Sequence, residues 1–278
     1  MNRSRQLSVF LTLCLVLLFA ISSKIYAADA AKNIRIGGTG TALAAMKSLG
    51  EQFRKRHPDV TITVLPSLGS KGGIKALIEG KLDIAISFRG LSGDEQKKGL
   101  AAIEYAQTPF VFVTHRTNKI SNITLREVAD IYNGKALTWP DGTPIRLILR
   151  PAGEASTKIL ESMSEDMKKA VQNSFKRSGL NIAANDQEND ILIERLPGSF
   201  GGSTLCQIIS ENRKLNVLPL NGVKPSVSAL ASGKYPYFKD LHIITGPKSS
   251  PQVKQFIDFV FSSSGRSFLG KTGHLPAR

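Results

Sequence analysis

Three short segments of this 278-residue sequence place hydroxyls and small residues where a strand pattern gives way to a helix pattern: Thr39-Gly40-Thr41, Gly69-Ser70-Lys71-Gly72-Gly73 and Gly153-Glu154-Ala155-Ser156-Thr157. A turn of this kind points free N–H groups and the positive helix end at whatever sits there, preferably an anion. Ser and Thr cap helices everywhere, so any one of the three is an ordinary cap. Three in one chain, each at the carboxyl end of a strand where α/β ligands bind, favour an oxyanion site. Two arginines sharpen this reading. Arg150 ends the strand before the third segment and Arg89 follows the strand that ends at Phe88, with Ser87 just before it. Either could hold an oxyanion with both arms of its guanidinium.

Other chemistries lack their residues. The chain has no GxSxG elbow, HExxH pair or paired CxxC, so catalytic residues are expected to be none. Gly38-Thr39-Gly40-Thr41-Ala42-Leu43 follows a strand but lacks the third glycine of a dinucleotide fingerprint. Four histidines (His57, His115, His242, His274) stand at no ligand spacing and read as surface or capping residues. No metal and no organic cofactor is expected. The formal charge of +15 comes from 37 Lys and Arg against 22 Asp and Glu. The basic residues are scattered along helices and aromatics make up only 7%, so a nucleic-acid track is not expected.

These loops need a scaffold, and the hydrophobic pattern supplies one. Strands are expected at Asn33–Gly37, Val60–Leu65, Leu82–Phe88, 103–115, Ile145–Leu149, Leu215–Leu220 and Leu241–Thr245. Helices are expected at Thr41–Arg56, Gly72–Glu79, Thr124–Tyr132, Glu154–Met163, Ser164–Lys176 and Pro251–Phe261, the last followed by a short tail. Thr124 with Glu127 three residues on is a capping box, and Asn133-Gly134 a stop. Gly179–Glu188 reads as a loop, and Trp139 as a loop aromatic packing a turn. Strands alternating with helices at this spacing make an α/β protein with a mostly parallel sheet.

The N-terminus reads as a processing signal. Arg3 and Arg5 precede a fifteen-residue apolar stretch, Leu7 to Ile21, and small residues follow at Ala27-Ala28-Asp29-Ala30. That stretch is short for a membrane span and suits a secretory signal over 1–27, with cleavage as late as 30; an uncleaved anchor is the alternative. Leu13 before Cys14 is too bulky for a lipoprotein box. Removal of 1–27 takes away Arg3, Arg5 and Lys24 and lowers the charge from +15 to +12. It also leaves Cys206 alone in an apolar run, which reads as a buried inert thiol. A periplasmic location is expected, with secretion the alternative.

The pattern resembles the periplasmic phosphate-binding proteins of ABC uptake transporters, within the class II solute-binding fold. The likeness rests on Gly69-Ser70-Lys71-Gly72-Gly73-Ile74-Lys75, Leu82-Asp83-Ile84-Ala85-Ile86-Ser87, Arg150 with Gly153, Leu196-Pro197-Gly198-Ser199-Phe200-Gly201 and the closing Gly270-Lys271-Thr272-Gly273-His274-Leu275-Pro276. The resemblance implies a two-lobed type II fold with the ligand in the interlobe cleft: residues 31–115 plus 225–278 form lobe 1 and 116–224 lobe 2. It implies a monomer that binds phosphate or a related oxyanion, partners an ABC transporter permease and performs no reaction. By position, Thr39, Gly40 and Thr41, Ser70 and Ser87, and Ala155 and Ser156 would supply N–H and hydroxyl donors, and Arg150 the charge. A sensor or binding module for a different small ligand on the same fold, or a secreted hydrolase, are the alternatives.

Two positions depart from the family. Phe88, followed by Arg89, stands where the family places an aspartate that accepts the proton of phosphate, and Glu154 stands where it has a serine. A carboxylate facing an anion without an intervening proton repels it by several kcal/mol at low effective dielectric. Glu154 either takes over as the proton acceptor, or pairs with Arg89 or Lys71 and shapes the site, or meets a ligand that carries its own donor group.

Overall fold

The computed structural model describes residues 33–277. The expected signal peptide and Cys14 lie outside these. In chain order the elements are β1 (Asn33–Gly38), α1 (Gly40–Arg54), β2 (Thr61–Val64), α2 (Gly69–Ile78), β3 (Ile84–Ser87), α3 (Gly93–Lys97) and β4 (Ala101–His115). There follow α4 (Leu125–Asn133), β5 (Arg146–Leu149), α5 (Ala155–Ser162), α6 (Glu165–Ser174), β6 (Asn181–Ile182), α7 (Asp186–Arg195), β7 (Ser199–Thr204) and α8 (Leu205–Ser210). The chain ends with β8 (Leu215–Leu218), α9 (Val227–Ala231), β9 (Phe238–Thr245), α10 (Pro251–Phe261), α11 (Ser263–Lys271) and β10 (Leu275–Pro276).

The strands run in the order β2-β1-β3-β9-β4-β7-β5-β6, with β8 and β10 also paired to β4. The outer pairs, β2–β1–β3 on one side and β7–β5–β6 on the other, are parallel, as βαβ crossovers require. The ladders at the centre, from β3 through β9 and β4 to β7, are antiparallel, so the parallel pattern read from the sequence belongs to the flanks. β4 is the shared member. Its first part pairs with β9 and β10 and its second with β7 and β8.

The buried side chains divide along β4. On one side Ile34, Ile36, Met46, Phe53, Ile86 and Phe256 pack together; on the other Phe112, Tyr132, Trp139, Leu147 and Phe200 do. Apolar faces of helices laid on both surfaces of each sheet half give the layered α/β arrangement. Residues 225–237, grouped by sequence with lobe 1, place Ala229, Tyr235 and Tyr237 in the second cluster, and the Tyr235 hydroxyl donates to the Phe110 carbonyl at 2.8 Å.

Several local expectations change. Residues 179–188 are not a plain loop: they hold β6 and the first turn of α7. The tail after Phe261 holds a further helix, α11, and the short strand β10. His274 and His115 are buried rather than surface residues; burial pushes the His274 imidazole down to about 4. Trp139 is also buried, its indole N–H donating to the Gly198 carbonyl at 2.9 Å.

Two glycines position the first site loops. Gly38 has φ +128°, and a Cβ there would lie 2.0 Å from the Ile86 carbonyl oxygen. A Cβ on Gly73 would lie 2.6 Å from the Gly38 Cα. The start of α2 therefore rests directly on the end of β1, which brings the first two hydroxyl-rich loops together.

Candidate functional site

The start of α2 (Gly69, Ser70, Lys71), the loop into α5 (Gly153, Glu154, Ala155) and the start of α7 (Asn185, Asp186) line a cleft of about 720 Å³, joined by Arg150, Phe88 and Arg89. Helices that start at a cleft turn their unpaired first-turn N–H groups toward it.

Arg150 is the last residue before α5's entry loop and is only 7% exposed. It donates through Nη1 to the Ala183 carbonyl, and its Nη2 lies 3.2 Å from Glu154 Oε1 and 3.7 Å from Asp186 Oδ1. Its Nε has no partner among the described residues. Glu154 is the N-cap of α5, its Oε2 accepting the Ser156 N–H at 3.1 Å. Of the pairings open for Glu154 in sequence, neither Arg89 nor Lys71 is its partner; Arg150, four residues back, is.

Arg89 lines the cleft, but both its arms bind Glu95 at 2.8 Å, where Glu95 closes the capping box of α3 with Ser92. That fork, with further donors at Ser92, holds the Glu95 carboxyl down to about 2. Ser87 is buried within its own turn, donating to the Arg89 carbonyl at 2.8 Å and accepting the Arg89 N–H at 3.1 Å. Ser70 accepts the Phe88 N–H at 3.1 Å, which leaves its hydroxyl proton for a ligand. Ala155 and Ser156 sit in the buried first turn of α5.

Thr39, Gly40 and Thr41 do not line the cleft directly. They meet Asp186, which the sequence reading does not single out. Its Oδ2 accepts the Thr41 N–H at 3.1 Å and the Thr41 and Thr39 hydroxyls at 3.3 and 3.4 Å. Its Oδ1 faces Lys239 Nζ at 3.6 Å, a buried lysine also absent from the sequence reading. The neighbouring Gln187 donates to the Gly40 carbonyl at 3.0 Å. Burial pushes the Asp186 carboxyl up, but Lys239, Arg150 and the Thr41 donors together hold it below its ordinary value. One turn further along α7, burial raises the Asp190 carboxyl from 3.8 to about 7, against donors from Ser203 and Asn189. Cys206 is buried near this network and burial pushes its thiol up to about 11, the inert state expected of it. Among the described residues no group of three or more His, Cys, Asp or Glu could hold a metal ion.

A family model described as a PBP superfamily domain matches residues 26–264. The chain belongs to this superfamily. Among curated members of similar sequence, the phosphate-binding protein PstS of Borreliella burgdorferi is 29% identical over 259 residues, covering 89% of this chain and 91% of that protein. SphX of Synechococcus elongatus is 26% identical, covering 82% of this chain and 73% of that protein. Among solved PBP structures, a Clostridium perfringens protein with bound phosphate superposes with a TM-score of 0.74 at 22% identity, covering 88% of this chain and all of that one. An ABC-type phosphate transport receptor from Vibrio cholerae superposes with a TM-score of 0.61 at 20% identity, covering 88% of this chain. At these identities the two structures establish the PBP fold.

Proposed function

We propose that this chain is a periplasmic solute-binding protein that captures inorganic phosphate, or a related oxyanion, and delivers it to the permease of an ABC uptake transporter. It binds its cargo and catalyses nothing. The observation that carries this reading is the convergence of the α2 and α5 N-termini on one cleft beside a buried arginine. Relatives named as phosphate-binding proteins over most of their length support it.

The chemistry follows from the donors. First-turn N–H groups of α2 and α5 and the hydroxyl of Ser70 donate to an oxyanion held in the cleft, with Ser156 behind them in the first turn of α5. Arg150 supplies charge that Glu154 and Asp186 partly balance. Glu154 keeps a lone pair on each oxygen after binding Arg150 and the Ser156 N–H, so it accepts the proton of monohydrogen phosphate. That role replaces the aspartate whose place Phe88 holds. In this reading 1–27 is a removed export signal, the protein acts as a monomer, and the lobes 31–115 plus 225–278 and 116–224 close on the ligand.

Phe88 in the cleft wall and two carboxylates around Arg150 favour one second reading, a ligand carrying its own hydroxyl or ammonium donor. Retention of radiolabelled phosphate by the purified protein, competed by unlabelled phosphate and by sulfate, tests the first reading. Retention that phosphate displaces and sulfate does not supports it, and no retention favours the second. A screen for phosphoester turnover tests the hydrolase alternative, and none is expected.

A further inference from the structure

Asp186 occupies a finished anion site made by other parts of the chain. It is the first residue of α7 and it also faces the N-terminus of α1, so two positive helix ends point at one carboxylate. Three donors from Thr39 and Thr41 take one of its oxygens. The other faces two buried cations, Arg150 and Lys239. Thr39, Thr41, Arg150 and Lys239 are 3%, 2%, 7% and 3% exposed, so this is a desolvated set and not a rim. Lys239 Nζ also donates to the Thr41 hydroxyl at 3.3 Å, which fixes that hydroxyl as a donor to Asp186. A ligand oxygen placed among these groups would find the same environment that the carboxylate now enjoys. The contributors come from three parts of the fold: Thr39 and Thr41 from the β1–α1 junction, Lys239 from β9, Arg150 from the end of β5.

We propose that Asp186 is a resident anion that sets the selectivity of the cleft, filling the donor set of Thr39, Thr41, Arg150 and Lys239 in place of a ligand oxygen and confining the bound oxyanion to the space beside Glu154. The proposal rests on the oxyanion reading of the cleft. With Asp186 on one side and Glu154 on the other, the bound anion meets two carboxylates and must bring a proton to at least one. A hydrogen-bearing oxyanion such as monohydrogen phosphate satisfies this, whereas sulfate, fully ionised at neutral pH, does not. Removing the resident charge turns the same donors into an open site in which Lys239 loses its carboxylate and Arg150 keeps only Glu154, which a small oxyanion can enter.

The test compares the wild type with Asp186→Ala and Asp186→Asn. Thermal unfolding is followed at neutral pH and constant ionic strength, with added sulfate and, separately, added phosphate. In the wild type, sulfate is expected to leave the melting temperature unchanged. Asp186→Ala is expected to melt lower without anion and to gain a saturable sulfate response, with sulfate affinity at least on the order of tenfold above the wild type. Asp186→Asn keeps the shape and loses the charge, and it is expected to gain sulfate affinity in the same direction. A variant unfolded without anion that sulfate refolds also supports the proposal. Folded variants with the sulfate response of the wild type, or unfolded ones that sulfate does not rescue, overturn it. A wild type that ignores phosphate counts against the oxyanion reading alone, because the gain of a sulfate site in the variants is read independently of it.

Discussion

Glu154 and Arg150 are joined one helical turn apart in sequence at the point where a strand meets the cleft: Glu154 Oε1 lies 3.2 Å from Arg150 Nη2 while Oε2 caps the Ser156 N–H at 3.1 Å. This arrangement puts a proton acceptor, a cation and a helix N-terminus within one short segment. Glu154→Gln removes the charge and one acceptor while keeping the size. Phosphate affinity is expected to fall by on the order of tenfold or more, the cost of losing one charged hydrogen bond. Calorimetry on the variant checks this, and unchanged phosphate affinity removes Glu154 from the acceptor role.

Arg150→Ala leaves two carboxylates, Glu154 and Asp186, beside each other without their shared cation, and frees the Ala183 carbonyl. Breaking a buried pair from one side costs roughly 3–5 kcal/mol. Urea unfolding is expected to show a loss of that order together with loss of oxyanion binding. A variant as stable as the wild type would mean that Glu154 and Asp186 are held by other groups.

How much of this was legible in the sequence differs from element to element. The helix α4 is fully written: Thr124 and Glu127 form the capping box and Gly134 takes the left-handed cap, all in their expected places. The starts of α2 and α5 are legible for the same reason, since small residues and a hydroxyl mark the turn out of a strand. The start of α7 is hidden because Asp186, Gln187, Glu188, Asn189 and Asp190 form a polar run with no apolar periodicity to announce a helix. Its one signal is Asn185 with Glu188 three residues on, the N-cap pair seen in the structure. Lys239 carries no local signal at all. It reaches Thr41 and Asp186 only because β9 runs antiparallel beside β4 and β3, a long-range pairing that spacing along the chain does not reveal. Arg89 shows a pairing that local reading misses: an arginine at a strand end looks like an anion clamp, and here both its arms also bind Glu95 of the next cap.

The buried Asp190 makes stability depend on pH. Its carboxyl is raised from an ordinary value near 3.8 to about 7. The folded protein therefore holds this proton while the unfolded chain has released it. The stability tied to the neutral acid is fully present below about pH 4 and is lost as the pH rises through about 7. Asp190→Asn can keep the contacts to Asn189 and Ser203 without that charge. Relative to the wild type it is expected to gain stability as pH rises from 5 to 8, by roughly 2–4 kcal/mol at the upper end. Denaturant titrations of both proteins at several pH values check this, and a difference that does not grow with pH contradicts it.

Gly38→Ala tests the positioning of the first two loops. The new methyl would meet the Ile86 carbonyl oxygen at 2.0 Å, in a backbone conformation that L residues rarely adopt. A loss of at least about 2 kcal/mol in stability is expected, with oxyanion affinity falling alongside because α2 rests on Gly38. Circular dichroism melting with a parallel binding titration measures both, and a substitution that leaves both intact shows that β1 and α2 can separate without consequence.

Calorimetric titration with phosphate at neutral pH, after bound ligand has been stripped by partial unfolding and refolding, bears most directly on oxyanion capture. Sulfate and molybdate are run alongside. Saturable one-to-one binding of phosphate, with no heat from sulfate, is the result expected of a cleft whose proton acceptor is Glu154 and whose second carboxylate is Asp186. A folded protein that gives no heat with phosphate would contradict phosphate capture and direct the search to a ligand bearing its own donor group.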